Sequence, residues 1–122
     1  MLGGLNSFGE ATPPPGIFTQ VSVGAWHSCG VKTDGSVACW GDNDSRQATP
    51  PAWTFSQVSA GESHSCGVKL DGSVACWGDN SYGQATAPTG TFVQVSVGVN
   101  HAVAVSASGE VWEWGDWARQ PL

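Results

Sequence analysis

The chain repeats itself three times with a period of 37 residues, and this feature limits the possible folds more than any other. His27, His64 and His101 stand 37 positions apart, and the stretch "HSCGVKTDGSVACWGDN" returns as "HSCGVKLDGSVACWGDN" with one residue changed. No insertion breaks the register across the three copies. Such regular self-similarity predicts a repeat architecture in which each copy forms one supersecondary unit.

The residue composition favours strands over helices. The chain of 122 residues contains 17 Gly and 7 Pro, and only 11% of its residues are charged. Short apolar runs such as "FTQVSVG" and "SVACWG" alternate with turn residues, which is typical of short antiparallel strands. We therefore predict an all-β protein in which each repeat forms one β-propeller blade of three or four antiparallel strands. The repeated Trp40, Trp77 and Trp114 would belong to the core of the blades.

In each of the first two copies, the turn of the predicted hairpin brings two cysteines together. With Thr33-Asp34-Gly35 as a three-residue loop and the glycine in the left-handed region, Cys29 lies directly opposite Cys39. Directly opposed positions on neighbouring strands are within reach of a disulfide. The sequence therefore predicts the disulfide Cys29–Cys39 and, around the equivalent turn of the second copy, Cys66–Cys76.

The third copy supports this pairing because it loses both cysteines together, with Val103 and Glu113 in their places. Each disulfide would stabilise its hairpin by about 2–4 kcal/mol at most. Zinc is the alternative for the cysteines, although neither a C-x-x-C knuckle nor a second ligand pair at close spacing supports it.

Disulfides favour a secreted, periplasmic or extracellular location. Because no secretory signal precedes the repeats, we expect that a leader was removed or replaced by Met1.

The motifs "GAWHS" and "WGDNSYGQAT" resemble the repeat of the regulator of chromosome condensation family, whose blades end in a Trp-Gly-x-Asn…Gly-Gln loop. The resemblance covers nearly the whole chain. Within the family, the motifs are most similar to the bacterial, extracytoplasmic branch that includes β-lactamase inhibitory protein II. The resemblance implies a β-propeller, but such propellers include nucleotide-exchange factors, enzyme inhibitors and secreted binders. In the inhibitor-like relatives, aromatic residues on the loop face contact the partner, which makes Trp26 and Tyr82 candidates here.

The repeats divide the single domain, residues 1–122, into five parts. Residues 1–16 would form a partial loop and strand that completes a neighbouring blade, the repeats occupy 17–53, 54–90 and 91–117, and a tail follows at 118–122. Closed propellers need four or more blades, so three repeats are too few for a ring. We therefore predict a homodimer that closes a six-bladed ring. The alternatives are a monomeric fragment and a purely structural repeat segment of a larger surface protein.

The net charge and the histidines bear on the class of function. Four basic and ten acidic side chains give a net charge of −6, which argues against nucleic acid as a partner because phosphate binding relies on clustered Lys and Arg.

The resemblance places His27, His64 and His101 around one rim of the disc. In a structural interpretation each histidine hydrogen-bonds the backbone of its blade, and no cofactor is expected. The alternative is a site for zinc or another divalent metal that serves a hydrolase.

No catalytic motif is recognisable, and the residues that break the repeat favour binding. The variable pairs between the repeated glycine and histidine are Ala25-Trp26, Glu62-Ser63 and Val99-Asn100. An exposed aromatic on a rigid blade suits a protein contact or sugar stacking. We predict a secreted binding module, not inserted in a membrane, that recognises a protein or a carbohydrate. The predicted binding residues are Trp26, Glu62, Ser63, Asn100 and Tyr82.

Overall fold

The computed structural model of the chain describes residues 15–41, 43, 47, 49–80 and 83–115. These residues form nine strands in three antiparallel sheets and contain no helix, so the all-β prediction is confirmed. Each repeat forms one sheet, and the sheets are called blades 1 to 3 in chain order. The strands are β1 (Phe18–Val23), β2 (His27–Lys32), β3 (Val37–Gly41), β4 (Phe55–Ala60), β5 (His64–Lys69), β6 (Val74–Gly78), β7 (Phe92–Val97), β8 (His101–Ser106) and β9 (Val111–Gly115). Within these ranges no helix is long and apolar enough to span a membrane.

Each blade is a meander in which the first strand pairs with the second and the second with the third. The turn between β2 and β3 has the predicted form, because the Lys32 N–H donates to the Ser36 carbonyl at 2.8 Å and Gly35 has a φ of 89°. The Asp34 carboxylate accepts hydrogen bonds from the Ser36 backbone N–H at 2.9 Å and from its hydroxyl at 2.7 Å. These bonds, with the hydroxyl the larger cause, lower the pKa of Asp34 below its ordinary value.

Both predicted disulfides are confirmed. The partners of Cys29–Cys39 and of Cys66–Cys76 lie directly opposite each other in their sheets, with sulfur–sulfur distances of 2.04 and 2.06 Å. In blade 3 the same register places Val103 opposite Glu113. Oε1 of Glu113 is buried and has no hydrogen-bond partner among the described residues. The third blade therefore lacks the covalent bond of the other two and carries a poorly solvated carboxylate instead.

The core lies between neighbouring blades. We call the face of a blade that packs against the following blade its outgoing face, and the opposite face its incoming face. The cluster between blades 1 and 2 consists of Cys29, Val31, Phe55, Val58, Ala60, Ala75 and Trp77, and blades 2 and 3 repeat it with Phe92 and Trp114 at the equivalent aromatic positions. The prediction for Trp77 and Trp114 is confirmed, since both are buried. Trp40 is only half-buried because it lies on the incoming face of blade 1, which no preceding blade covers within the described residues.

Polar side chains of the first strand attach each blade to the next. The Gln20 side-chain amide donates to the Val58 carbonyl, and its Oε1 accepts from the Val58 N–H, both at 2.8 Å. Gln57 makes the same two bonds with Val95, again at 2.8 Å. A serine two residues further along each strand accepts a third bond from the backbone of the next blade. We call this set of three bonds the glutamine clamp.

Candidate functional site

The variable pairs lie on three short loops that join the first and second strands of the blades. We call residues 24–26, 61–63 and 98–100 the rim loops. Each rim loop is closed by a hydrogen bond from the N–H of its glycine to the carbonyl of the repeated histidine, at 2.8 Å in all three blades. The rim loops are therefore tight turns with a fixed position relative to their blades.

Adjacent rim loops contact each other through their glycines. The Ala25 N–H donates to the Gly61 carbonyl at 3.2 Å. A Cβ atom on Gly24 would collide with that carbonyl, and a Cβ atom on Gly61 would collide with the Gly98 carbonyl. Glycine is needed here because the neighbouring backbones approach too closely for a side chain. As a result, the variable residues of successive blades stand next to one another.

The structure places four of the five predicted binding residues on the rim loops. Trp26 is 45% exposed, whereas Glu62, Ser63 and Asn100 are half-buried. The fifth residue, Tyr82, lies outside the described residues. The rim loops therefore present a mixed set of side chains, namely an exposed aromatic ring, a carboxylate and small polar groups.

Val99 is an exposed rim residue that the sequence analysis did not select. The Val99 side chain is 54% exposed, which is more than the exposed fraction of Trp26 or of the half-buried rim residues. The available signal was an aliphatic residue at the position that Ala25 and Glu62 occupy in the other copies. Together with Trp26, this side chain gives the rim loops two exposed apolar groups.

The loop after the third strand supports the rim loop of blade 2. The Asp79 N–H donates to the Ser63 carbonyl at 2.9 Å. Gly78 precedes it with a φ of 109°, and a Cβ atom there would lie 2.6 Å from the same carbonyl. These contacts fix the backbone of the rim loop from a second side, so its side chains start from a preorganised position.

Two of the three repeated histidines lie in the joints between blades. His27 and His64 are fully buried, and His101 is half-buried on the outgoing face of blade 3. Nε2 of His27 lies 2.6 Å from the Ser65 hydroxyl of the next blade, and that hydroxyl donates to the Gln47 carbonyl at 3.2 Å. The histidine contact thus crosses the joint instead of ending within its own blade.

His64 lacks the contact that His27 has. The position equivalent to Ser65 is Ala102, and both ring nitrogens of His64 are buried without a hydrogen-bond partner among the described residues. Burial lowers the pKa of His64 to about 4, and the neighbouring His27 adds to this shift. The backbone of His101 opposes it although it does not reach hydrogen-bonding geometry with the ring. His64 is therefore neutral at physiological pH.

The arrangement of the described residues does not favour the alternative of a metal site. The described ranges contain no group of three or more His, Cys, Asp or Glu side chains placed to hold a metal ion. Desolvated rings in separate joints, one of them bonded to a serine, suit a packing role better than a set of convergent ligands.

A second exposed tryptophan lies away from the rim loops. Trp53 is 52% exposed and sits under the Lys69 ammonium, whose Nζ lies 3.7 Å from the ring centroid. Trp53 precedes β4, and Lys69 ends β5, next to the hairpin turn of blade 2. This cation–π pair accounts for the position of Trp53 without a ligand.

The repeat itself identifies the family. The profile of the "Regulator of chromosome condensation (RCC1) repeat" matches residues 18–47, 55–84 and 92–116, which is more than half of the chain. This chain belongs to the RCC1 repeat family. Each match begins at the first strand of a blade, so the family resemblance is confirmed and the three sheets are RCC1-type propeller blades. The bacterial, extracytoplasmic branch remains a prediction, and none of the curated proteins matches the chain.

Solved structures of RCC1-like proteins share the fold. The CRINKLY WD40 ectodomain of the Arabidopsis thaliana receptor kinase ACR4 is 29% identical, with a TM-score of 0.69 over 84% of this chain and 38% of that chain. The ectodomain of the Physcomitrella patens receptor kinase CR4 is 24% identical, with a TM-score of 0.70 over 80% of this chain and 30% of that chain. Yeast RCC1 (Prp20), solved bound to Kap60, is 17% identical, with a TM-score of 0.71 over 86% of this chain and 34% of that chain. The RCC1-family chain thus spans roughly a third of each of these structures.

Proposed function

We propose that this RCC1-family chain is a binding module that recognises a protein through its rim loops. The observation that carries the proposal is the placement of variable side chains on loops whose backbones are fixed by contacts between blades. A surface that is already ordered loses little conformational entropy on association, so more of the contact energy appears as affinity.

The chemistry of the rim loops favours a protein over a carbohydrate. Trp26 and Val99 offer exposed aromatic and aliphatic surface, and Glu62, on the rim loop of the blade between them, supplies a carboxylate. Such a mixture of a tryptophan anchor with polar neighbours is typical of protein hot spots. Yeast RCC1 (Prp20), which shares the fold, was solved with a protein bound, namely Kap60.

The disulfides support an oxidising compartment for this interaction. Both bonds close hairpins in the joints of the blades, and such bonds persist in secreted, periplasmic or extracellular proteins. The fold also occurs in receptor-kinase ectodomains. We therefore place the proposed binding function outside the cytoplasm.

The experiment compares two exposed tryptophans. The disulfide-intact chain is immobilised and incubated with the secreted and envelope proteins of its source cells, as wild type, Trp26→Ala and Trp53→Ala. We expect proteins retained by the wild type and by the Trp53 variant to be lost with the Trp26 variant, since an aromatic hot spot contributes about 2 kcal/mol or more, roughly 30-fold in affinity.

Three other outcomes would change the proposed location of the binding surface or the class of its ligand. Retention that survives Trp26→Ala and Val99→Ala together contradicts binding through the rim loops. Retention that free sugars abolish assigns the surface to a carbohydrate. If Trp53→Ala, and not Trp26→Ala, removes the retained protein, the binding surface lies on the side of the hairpin turns.

A further inference from the structure

The two internal joints of the chain are built from the same parts at the same positions. In each joint the glutamine clamp of one blade bonds the edge strand of the next, and apolar side chains close over it. Val58 and Val95, which receive the clamps, are 0% and 2% exposed. A covered incoming face is therefore recognisable by the burial of this valine.

On the incoming face of blade 1, the described residues leave two valines exposed. Val21 occupies the position of Val58, but it is 51% exposed. Val23 occupies the position of Ala60 and is 76% exposed, compared with 6% for the alanine. Both valines lie on β1, the edge strand of its sheet, so this face presents apolar side chains and strand backbone together.

The outgoing face of blade 3 carries the matching half of a joint. Gln94 and Ser96 occupy the positions of Gln57 and Ser59, which make the clamp between blades 2 and 3, and both are exposed. Val111, at the position of the packed Val74, is 51% exposed. The outgoing face of blade 3 thus carries the clamp residues that the incoming face of blade 1 would receive.

The histidine position agrees with this match. A joint between blade 3 and blade 1 would set His101 against Ser28, which repeats the pair His27 and Ser65 of the first internal joint. The clamp residues and the apolar positions are therefore exposed for a third joint, and the sequence repeats the histidine–serine pair, with Ser28 already buried in the single chain.

We propose that two copies of this chain join head to tail, with the outgoing face of blade 3 of each copy on the incoming face of blade 1 of the other. Closed propellers contain four to eight blades. Two copies of three blades give six, whereas three copies would give nine. The proposal is independent of the partner of the rim loops, although the ring would place six rim loops on one disc.

The closing joint differs from the internal ones at Val103 and Glu113. These residues replace a disulfide on the outgoing face, and Glu113 brings a carboxylate to a surface that association would desolvate. We therefore expect the ring to dissociate on dilution, while the blades within one chain stay together.

Native mass spectrometry with face-specific variants tests the proposal. The wild type is expected at twice the chain mass of 12.6 kDa. Val23→Arg blocks the incoming face and Ser96→Arg blocks the outgoing face, and each alone should weaken association by on the order of 100-fold or more because the joint would bury an unpaired charge. Both positions are exposed in the isolated chain, so the variants should fold, which circular dichroism can verify.

Mixing the two variants is the decisive step. One intact face remains on each variant, so a head-to-tail contact predicts a mixed dimer held by a single joint, although neither variant dimerises alone. The matched control is Leu70→Arg, since Leu70 lies on the hairpin turn of the middle blade, belongs to neither end face, and is 67% exposed. This control should keep the dimer mass.

Several results would overturn the proposal. They are a wild type that is monomeric at every concentration, a blocked variant that still dimerises by itself, and a series of longer open assemblies. Trp26→Ala should leave the dimer mass unchanged, so failure of the rim-loop proposal and failure of the ring are separable.

Discussion

The joint between blades 2 and 3 lacks a hydroxyl that the preceding joint has, and we expect a single added oxygen atom to stabilise it. His64 is fully buried and its ring nitrogens have no hydrogen-bond partner in the part of the chain that the structure describes, whereas the His27 ring lies 2.6 Å from the Ser65 hydroxyl in the preceding joint. Ala102 occupies the position of Ser65. The substitution Ala102→Ser therefore places a hydroxyl where the first joint already has one.

The residues around Ala102 offer both a hydrogen-bond acceptor and a hydrogen-bond donor to the new hydroxyl. In the first joint the Ser65 hydroxyl donates to the Gln47 carbonyl, which also accepts from Trp77 Nε1 at 3.0 Å. In the second joint the Gln84 carbonyl accepts from Trp114 Nε1 at the same 3.0 Å. A serine at position 102 can thus donate to Gln84 and accept from His64.

The expected gain is modest but measurable. Each net hydrogen bond contributes about 1 kcal/mol, so two bonds should raise the free energy of unfolding by about 1–2 kcal/mol. At about 4 °C per kcal/mol for a chain of this size, the melting temperature should rise by roughly 4–8 °C. The reverse change, Ser65→Ala, should cost about 1–3 kcal/mol because it removes a buried partner of His27.

Urea denaturation followed by tryptophan fluorescence measures both changes. Protein concentration must be equal for all variants, since any association shifts the midpoint. If Ala102→Ser leaves the midpoint unchanged or lowers it while Ser65→Ala is destabilising, the equivalence of the two joints is refuted. An unchanged midpoint for Ser65→Ala would show instead that the 2.6 Å contact contributes nothing.

Three further predictions concern stability. The pKa of His64 is about 4 in the folded chain and ordinarily 6.5, so unfolding takes up a proton below pH 6.5. Stability should be complete above that pH and fall by up to about 3 kcal/mol as the pH drops to 4, with a flatter urea-midpoint profile for His64→Gln. The pair Val103→Cys and Glu113→Cys, directly opposed in the sheet, should form a third disulfide detectable by mass and raise stability by about 2–3 kcal/mol, unless blade 3 departs from the shared register. Gly61→Ala should lower the melting temperature more than Gly109→Ala, because Gly61 meets neighbouring backbone within contact distance whereas Gly109 has only the cost of its φ of 93°; equal losses would show that the close approach costs no more than that positive φ.

The local structure of each blade could be predicted from the sequence. A turn of three residues fixes the pairing of the strands around it, and pairing fixes which cysteines meet. The exact recurrence of the period then extends one hairpin to all three blades. The register Cys29 opposite Cys39, and its loss at Val103 and Glu113, follow from these local rules.

The joints between blades were less accessible to sequence reasoning. Gln20 and Gln57 repeat with the same period as the core residues, but their bonds cross to another blade, and the sequence alone does not show which blade faces which. The same limitation affected the histidines. Resemblance placed them on a rim, whereas packing against the next blade buries His27 and His64. The half-buried Trp40 likewise follows from its place on an end face, which the repeat pattern does not encode.

The glutamine clamp has a consequence for how such chains change length. Its two amide bonds are made to the backbone of the next blade, and backbone groups are the same whatever side chain they carry. A clamp therefore specifies the distance and direction of a neighbour but not its identity. A blade copied or deleted as a unit of 37 residues would meet the same backbone on either side, so the glutamine clamp would form again at its joints. The clamp thus sets how one blade follows another, while the residues on the rim loops differ from blade to blade.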